Sequence, residues 1–209
     1  MLADLLQSPG VTETSQLRGR LGFMAYHGGA LEKVTDIVAS EAAKRSGASY
    51  YGVIQTLDPM THIASTRVSP ADSPALAAFL DHVDVVISMH GYGREDKRRT
   101  LLLGGQNREL ASFVAKRLRR GIGAYEVEDD LSRIPTELAG QHPANPVNLP
   151  RDQGVQIELP PVIRWHFTGW HWSDFGDHGR APDTERLIVS LADAASEWML
   201  SDSGEQHEQ

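Results

Sequence analysis

The stretch Asp84-Val-Val-Ile-Ser-Met-His90 decides the fold. An apolar run this short, opened by a charge and closed by His90-Gly91, reads as a strand buried on both faces. That is the pattern of a central strand in an α/β sheet. Working outward, strand and helix patterns alternate on either side of it. Upstream, strands are expected over 21–26 and 50–55, with a helix over 35–45 between them. That helix carries Ile37, Val38 and Ala42 at helical spacing, with Thr35 as its N-cap and Gly47 as its stop. A further helix is expected over 73–80. Downstream, a strand over 99–103 is closed by Gly104-Gly105, and the helix over 107–119 turns Leu110, Phe113, Val114 and Leu118 inward. Strands over 124–127 and 154–159 follow, then a last amphipathic helix over 185–199 with Leu187, Ile188, Leu191, Ala195 and Trp198 inside. The alternation predicts an α/β domain, a mixed and largely parallel sheet flanked by helices. Residues 1–18 are polar and aperiodic and are expected to form a loosely attached lead-in to a domain spanning 19–200. The segment 201–209, SDSGEQHEQ, has no apolar residue and is expected to be a disordered acidic tail.

Composition narrows the chemistry. The chain has 209 residues, a formal net charge of -8 and no cysteine. Disulfides, thiolate ligands and cysteine nucleophiles are therefore excluded, and any metal must be held by imidazole and carboxylate. No apolar run approaches the roughly 20 residues of a membrane span, so a soluble protein is expected. The start, MLADLLQ, has no cationic region ahead of its apolar residues, which argues against a secretory signal and for synthesis in the cytoplasm. The acidic balance argues against nucleic acid as a partner.

Sites in open α/β sheets form beyond the carboxyl ends of strands. Three such ends carry unusual residues: His27-Gly-Gly-Ala-Leu-Glu32, Met89-His90-Gly91, and Gly154-Val-Gln-Ile-Glu158-Leu. In the third, alternation puts Gln156 and Glu158 on one face and Val155 and Ile157 on the other. Two imidazoles and a carboxylate make the protein ligand set of a catalytic zinc site, with a fourth position left for water. A separate carboxylate must then take the water's proton, and Glu158, on an otherwise apolar strand, suits that task. Taken singly, each histidine also reads as a loop residue bonded to backbone. Glu32 also reads as a helix-start carboxylate, and Glu158 as an edge-strand charge.

HGGALE at 27–32, the apolar strand into SMHG, Gly104-Gly105 before a helix, GQHPANPVN and GVQIEL together resemble the poly-γ-glutamate hydrolase family. The resemblance runs from residue 22 to 164, in order and with compatible spacing. It implies a compact, zinc carboxypeptidase-like fold. It also implies one zinc ion per chain on His27, Glu32 and His90, with Glu158 as general base. The expected activity is hydrolysis of γ-glutamyl amide bonds in an anionic peptide polymer, with release of the enzyme by lysis if it is phage-encoded. Arg164, just past the Glu158 strand, is expected to stabilise the oxyanion. Asn145, Asn148, Arg98 and Arg99 are expected to hold substrate, the two arginines belonging to a cluster with Arg94 and Lys97. Two other readings stand beside this one: a zinc carboxypeptidase or amidohydrolase acting on a small acyl-amino acid or cell-wall peptide, and a non-catalytic polyanion-binding module.

The segment 165–180, WHFTGWHWSDFGDHGR, fits no part of that pattern. Trp165, Trp170 and Trp172 are expected to cover the sheet edge, while His166, His171 and His178 fall on no recognised ligand spacing. His62 and His142 carry no assignment, although the HIAST stretch around His62 suits a position facing the cleft.

Overall fold

A computed structural model describes residues 1–205, with side chains through Ser201. In chain order the elements are α1 (Leu2–Leu6), β1 (Val11–Gln16), β2 (Leu21–Gly29), α2 (Thr35–Ser46), β3 (Ser49–Gln55) and α3 (Pro74–His82). They continue as β4 (Val85–Gly91), β5 (Thr100–Leu103), α4 (Arg108–Gly121), β6 (Glu126–Glu128), β7 (Gly154–Leu159), β8 (Trp165–His166), β9 (His171–Trp172) and α5 (Pro182–Glu205). The described residues form a seven-stranded sheet in the order β1-β3-β2-β4-β7-β5-β6, and β8 and β9 make a separate two-stranded hairpin. The pairings β3–β2, β2–β4, β4–β7 and β5–β6 are parallel, whereas β1–β3 and β7–β5 are antiparallel. The sheet is mixed and largely parallel, and β4 is a central strand as its apolar run predicts.

Each face of the sheet carries its own core. Phe23, Ala25, Ile87, Met89, Val155, Ile157 and Leu159 point to one face, where α2, α4 and α5 cover them with Val38, Ala42, Leu110, Val114, Leu187 and Leu191. Met24, Tyr26, Tyr51, Val53 and Val86 point to the other, under Leu76, Phe79 and Leu80 of α3. Two helices begin on side-chain caps: Ser73 Oγ accepts the Leu76 N–H at 3.0 Å, and Asn107 Oδ1 accepts the Leu110 N–H at 2.8 Å. Thr35, expected to cap α2, is instead its first residue. The cap position falls on Val34, held at φ 80°.

The ends of the chain depart from expectation. The segment read as a loose lead-in packs onto the domain: β1 pairs along its whole length with β3, and Leu2 and Leu5 of α1 join the second core. Glu13 ties the edge down by accepting hydrogen bonds from Tyr51 Oη at 2.7 Å and from Ser73. The polar, aperiodic run VTETSQ belongs to a strand whose burial pattern is intermediate to exposed at the sheet edge. At the other end α5 continues to Glu205, into the segment expected to be disordered, and 206–209 lie outside the described residues.

Leu2 is 1% exposed, so Leu2→Ala is expected to cost about 2–5 kcal/mol in denaturant unfolding. A loss under about 0.5 kcal/mol, the range of a surface substitution, would show that α1 does not belong to the core.

Candidate active site

On β4 the residues facing the second core change character along the strand, from Val86 to Ser88 to His90. The parallel neighbour β7 is in register, pairing Ser88 with Gln156 and His90 with Glu158. Alternation therefore places Ser88, His90, Gln156 and Glu158 side by side on one face, where the apolar core ends. On the other side of β4, β2 runs in register up to Met24, and its pairing with β3 shifts between Ala25 and Gly28. This irregularity breaks the alternation, as bulges beside sites do. Tyr26 and His27, consecutive in sequence, both come within ring contact of His90, at centroid distances of 4.9 and 5.2 Å.

The chain then turns back sharply through Gly28-Gly29. A Cβ on Gly28 would lie 2.6 Å from Asp36 Cβ, and one on Gly29 (φ +75°) would lie 2.3 Å from the Gln55 carbonyl oxygen. Only glycine fits at either position. The Glu32 N–H donates to the His27 carbonyl at 2.9 Å, and Thr35 Oγ1 donates to the Glu32 carbonyl at 2.7 Å. The positive φ of Val34, unfavourable for a β-branched residue, closes this turn onto α2.

The turn delivers Glu32 between the two imidazoles. Its Oε1 lies 3.0 Å from His27 Nδ1, its Oε2 lies 3.6 Å from His90 Nδ1, and Oε2 accepts the Gly91 N–H at 2.9 Å. The far nitrogens are anchored: His27 Nε2 on the Ile63 carbonyl at 2.8 Å, and His90 Nε2 on Ser88 Oγ at 3.1 Å. Metal-binding histidines show this arrangement, one nitrogen turned to a common point and the other held from behind. The donor set of two Nδ1 atoms and one carboxylate fits zinc. Burial pushes the Glu32 carboxyl upward, but hydrogen bonds and charge from His27 and His90 win and hold it well below the usual carboxylate range. Burial disfavours the His90 imidazolium, yet its bond to Glu32 and the charges of Glu32 and Glu158 raise it overall.

His62 adds a third imidazole on the loop after β3. Its ring centroid is 4.5 Å from that of His27, and single ligand atoms of His27, Glu32 and His62 all lie within 4.8 Å of one another. His62 is exposed, and burial together with the nearby His27 lowers its pKa. The site thus offers two candidates, His90 and His62, to complete a centre on His27 and Glu32. The only trace of His62 in the sequence is its place in the HIAST loop.

These groups line a cavity of about 440 Å³, whose further walls include Ser65, Thr66, Glu137, His142, Asn145 and Gln156. Glu158 is buried on its floor. Burial pushes its carboxyl up to about 7, with the Glu32 charge adding to the shift while His90, Gln156 and Arg164 oppose it. Gln156 Nε2 donates to Glu158 Oε1 at 2.9 Å, and Asn145 Nδ2 donates to Gln156 Oε1 at 2.8 Å. Asn145 lines the cavity. Asn148 serves the scaffold beside it, donating to the carbonyls of Gly140 (2.7 Å) and His142 (3.0 Å) and accepting the Gln106 N–H (3.0 Å).

The arginines lie elsewhere. Arg98 and Arg99 line a separate cleft with Thr100, Tyr125 and Glu126, and Arg99 sits over the Tyr125 ring at 5.0 Å. Proximity to His90 in sequence does not bring them to it, because the chain passes over β7 between β4 and β5, and they lie beside β6. Arg94 pairs with Glu137 on the cavity wall. Among the described residues, the cavity walls hold no lysine or arginine. Arg164 is buried behind Glu32, in a neighbouring pocket with Lys33, Gly91, Tyr92 and Trp172. It donates to the carbonyls of Lys33 (2.9 Å), Tyr92 (3.3 Å) and Pro160 (3.5 Å), and burial lowers its pKa to about 10.

A largely parallel sheet between helices, with a His/Glu cluster at its carboxyl edge, makes up this α/β domain. N-formylglutamate amidohydrolase from Ralstonia eutropha JMP134 shares that fold at a TM-score of 0.55 and 13% identity, over 93% of this chain and 98% of that one. The chain belongs to the poly-gamma-glutamate hydrolase family, whose sequence model matches residues 3–175. A bacteriophage poly-gamma-glutamate hydrolase superposes with a TM-score of 0.78 at 20% identity, covering 94% of both chains. The zinc-free form of YndL superposes at 0.73 and 20% identity, covering 96% of this chain and 94% of that one. In sequence, the SPbeta prophage-derived UPF0714 protein YoqZ of Bacillus subtilis (strain 168) is 30% identical over 70% of this chain. YndL of the same organism is 30% identical over 68% of it. The chain covers 50% and 53% of these two curated relatives, about half their length. No helix among the described residues is long and apolar enough to cross a membrane.

Arg164 joins three backbone segments around the site. Arg164→Ala is expected to cost about 2–4 kcal/mol in denaturant unfolding, because it removes charge-assisted bonds and leaves buried carbonyls unpartnered. An unchanged midpoint would show that the clamp contributes nothing.

Proposed function

We propose that this protein is a zinc-dependent hydrolase that cuts the γ-glutamyl amide bonds of poly-γ-glutamate, with His27, Glu32 and His90 holding one zinc ion per chain. The observation that carries the reading is the register of β4 on β7, which sets Glu158 beside His90 with its carboxyl near neutrality. His90 is preferred to His62 as the third ligand because a strand and Ser88 fix its ring, whereas His62 stands exposed on a loop. Zinc in this seat supplies Lewis acidity for the scissile carbonyl and makes a water acidic enough to attack near neutral pH.

The chain's own residues do the rest. Glu158, ionised, accepts a proton from the attacking water and returns it to the nitrogen of the leaving α-amine, so one carboxyl serves as base and then as acid. A carboxyl that titrates near 7 is matched to both tasks. Gln156 and Asn145 hold it in place through the relay described above. Arg164 acts as a positioning residue. It fixes the carbonyls that flank Glu32 and Gly91, and its charge favours the anionic forms of Glu32 and Glu158. Substrate carboxylates must be met from outside the cavity. Arg67, in a pocket that shares His62 and Ala64 with it, and Lys33, in the pocket behind Glu32, are cations suited to that role.

The absence of cations from the cavity walls favours a second reading, hydrolysis of a small acyl-amino acid amide. Comparing amine release from poly-γ-glutamate with release from short γ- and α-linked glutamyl peptides separates the two, and the polymer is expected to be the better substrate. Glu158→Gln is expected to keep the fold and the bound zinc while lowering kcat by roughly 1,000-fold or more, a base and an acid being lost together. Near-normal turnover would remove Glu158 from the mechanism. Because Glu158 must be ionised, kcat/KM is expected to fall on the acid side. A bound cation favours the carboxylate, so the midpoint should lie at or below about 7. An acid limb centred well above 7 would contradict the assignment. Ser88→Ala, which frees His90 Nε2, is expected to weaken zinc binding roughly 10–100-fold in competition with a chromophoric chelator. Unchanged affinity would point to His62 instead.

A further inference from the structure

Three histidines outside the catalytic cavity meet in the 165–180 segment. The hairpin of β8 and β9 pairs Trp165 with Trp172 and His166 with His171. The chain then loops back through Gly176 and brings up His178. The ring centroids are 5.0 Å apart for His166 and His171, 5.6 Å for His166 and His178, and 5.5 Å for His171 and His178. With metal–nitrogen bonds of about 2.0–2.1 Å, each imidazole centroid stands roughly 3.2 Å from a tetrahedral ion and about 5 Å from the next. The triangle formed by these rings has that size.

His171 Nδ1 donates to the Trp172 carbonyl at 2.7 Å, which leaves the lone pair on Nε2. That Nε2 atom is buried and has no hydrogen-bond partner in the protein. A buried acceptor without a partner is costly, and a ring held from behind by a carbonyl with its other nitrogen bare is the form in which histidine takes a metal. Next, a Cβ on Gly169 would lie 2.2 Å from His171 Nε2 and 2.9 Å from His178 Nδ1. Both ring nitrogens therefore lie against Gly169, and any side chain there would push them apart. His166 accepts the Gly169 N–H through Nδ1 at 3.1 Å, a single bond that it would exchange for a ligand. The three ligand nitrogens are not gathered as closely as those of His27, Glu32 and His62, so binding requires the rings to turn on side chains already at the right separation.

We propose that His166, His171 and His178 form a second metal site, selective for divalent ions that favour imidazole: zinc, copper(II) or nickel(II). It is separate from the catalytic centre and clamps the 165–180 segment. The measurement compares zinc bound per chain, by equilibrium dialysis and elemental analysis, in the full-length protein and in a His171→Gln/His178→Gln variant. The wild type is expected to bind one zinc more than the variant. That difference does not depend on whether the catalytic site holds zinc, so failure here and failure there are distinguishable. A second readout is saturable quenching of tryptophan fluorescence by copper(II), since Trp165 and Trp172 belong to the same hairpin. His178→Ala, at an exposed ring, leaves the packing intact and is expected to weaken that quenching by more than roughly tenfold in copper concentration, at least the cost of losing an outer contact to a ligand. Equal zinc content in wild type and variant, or a quenching curve that His178→Ala does not move, would overturn the proposal.

Discussion

The structure depends on the placement of one carboxylate, that of Glu32, between His27 Nδ1 and His90 Nδ1. The three residues come from two strand ends and the turn between β2 and α2, and each is unfavourable there without the others. A buried carboxylate needs positive partners, and a buried imidazole gains its charge only beside a negative one. The departure of β2 from regular pairing, the glycine pair after it and the left-handed Val34 all serve to bring that carboxylate to β4. The Gly91 N–H and the carbonyl contacts of Arg164 complete the enclosure.

The second constraint is the switch of chemistry along a single strand. β4 starts as core, with Val86 in the apolar cluster, and ends as site, with Ser88 and His90 on the same face two and four residues later. Because β7 is parallel and in register, Gln156 and Glu158 make the same transition beside it. A polar, titrating cluster can therefore sit directly against a well-packed core without interrupting the sheet. The apolar residues of both strands on the opposite face hold it rigid, as a preorganised site requires.

Much of this is legible in the sequence. Period-two alternation predicts which face Glu158 occupies, the apolar run places β4 at the centre, and the strand-end rule brings His27, Glu32, His90 and Glu158 within reach of one another. What the sequence does not show are contacts made across long separations by residues with ordinary local patterns. Leu2 and Leu5 look like part of a polar lead-in because the rest of the cluster they join comes mainly from β2, β3, α3 and β4. Arg98 and Arg99 look close to His90 because sequence distance hides the step over β7 from β4 to β5. Asn148 looks like a substrate residue because an amide that ties loop carbonyls together is chemically the same as one that binds a ligand. His62 carries no assignment because its loop has no periodicity to orient it. The histidines of 165–180 match no local ligand spacing because a hairpin register and a returning loop, rather than a helix or a short motif, bring them together.

His27, Glu32 and His90 are proposed to share one zinc ion. Anomalous diffraction at the zinc edge, from crystals of the full chain grown with zinc, tests it most directly. A shared ion gives a peak about 2.0–2.2 Å from His27 Nδ1, from a Glu32 oxygen and from His90 Nδ1. A peak bonded to His62 with His90 still on Ser88, or no peak beside Glu32, would contradict it.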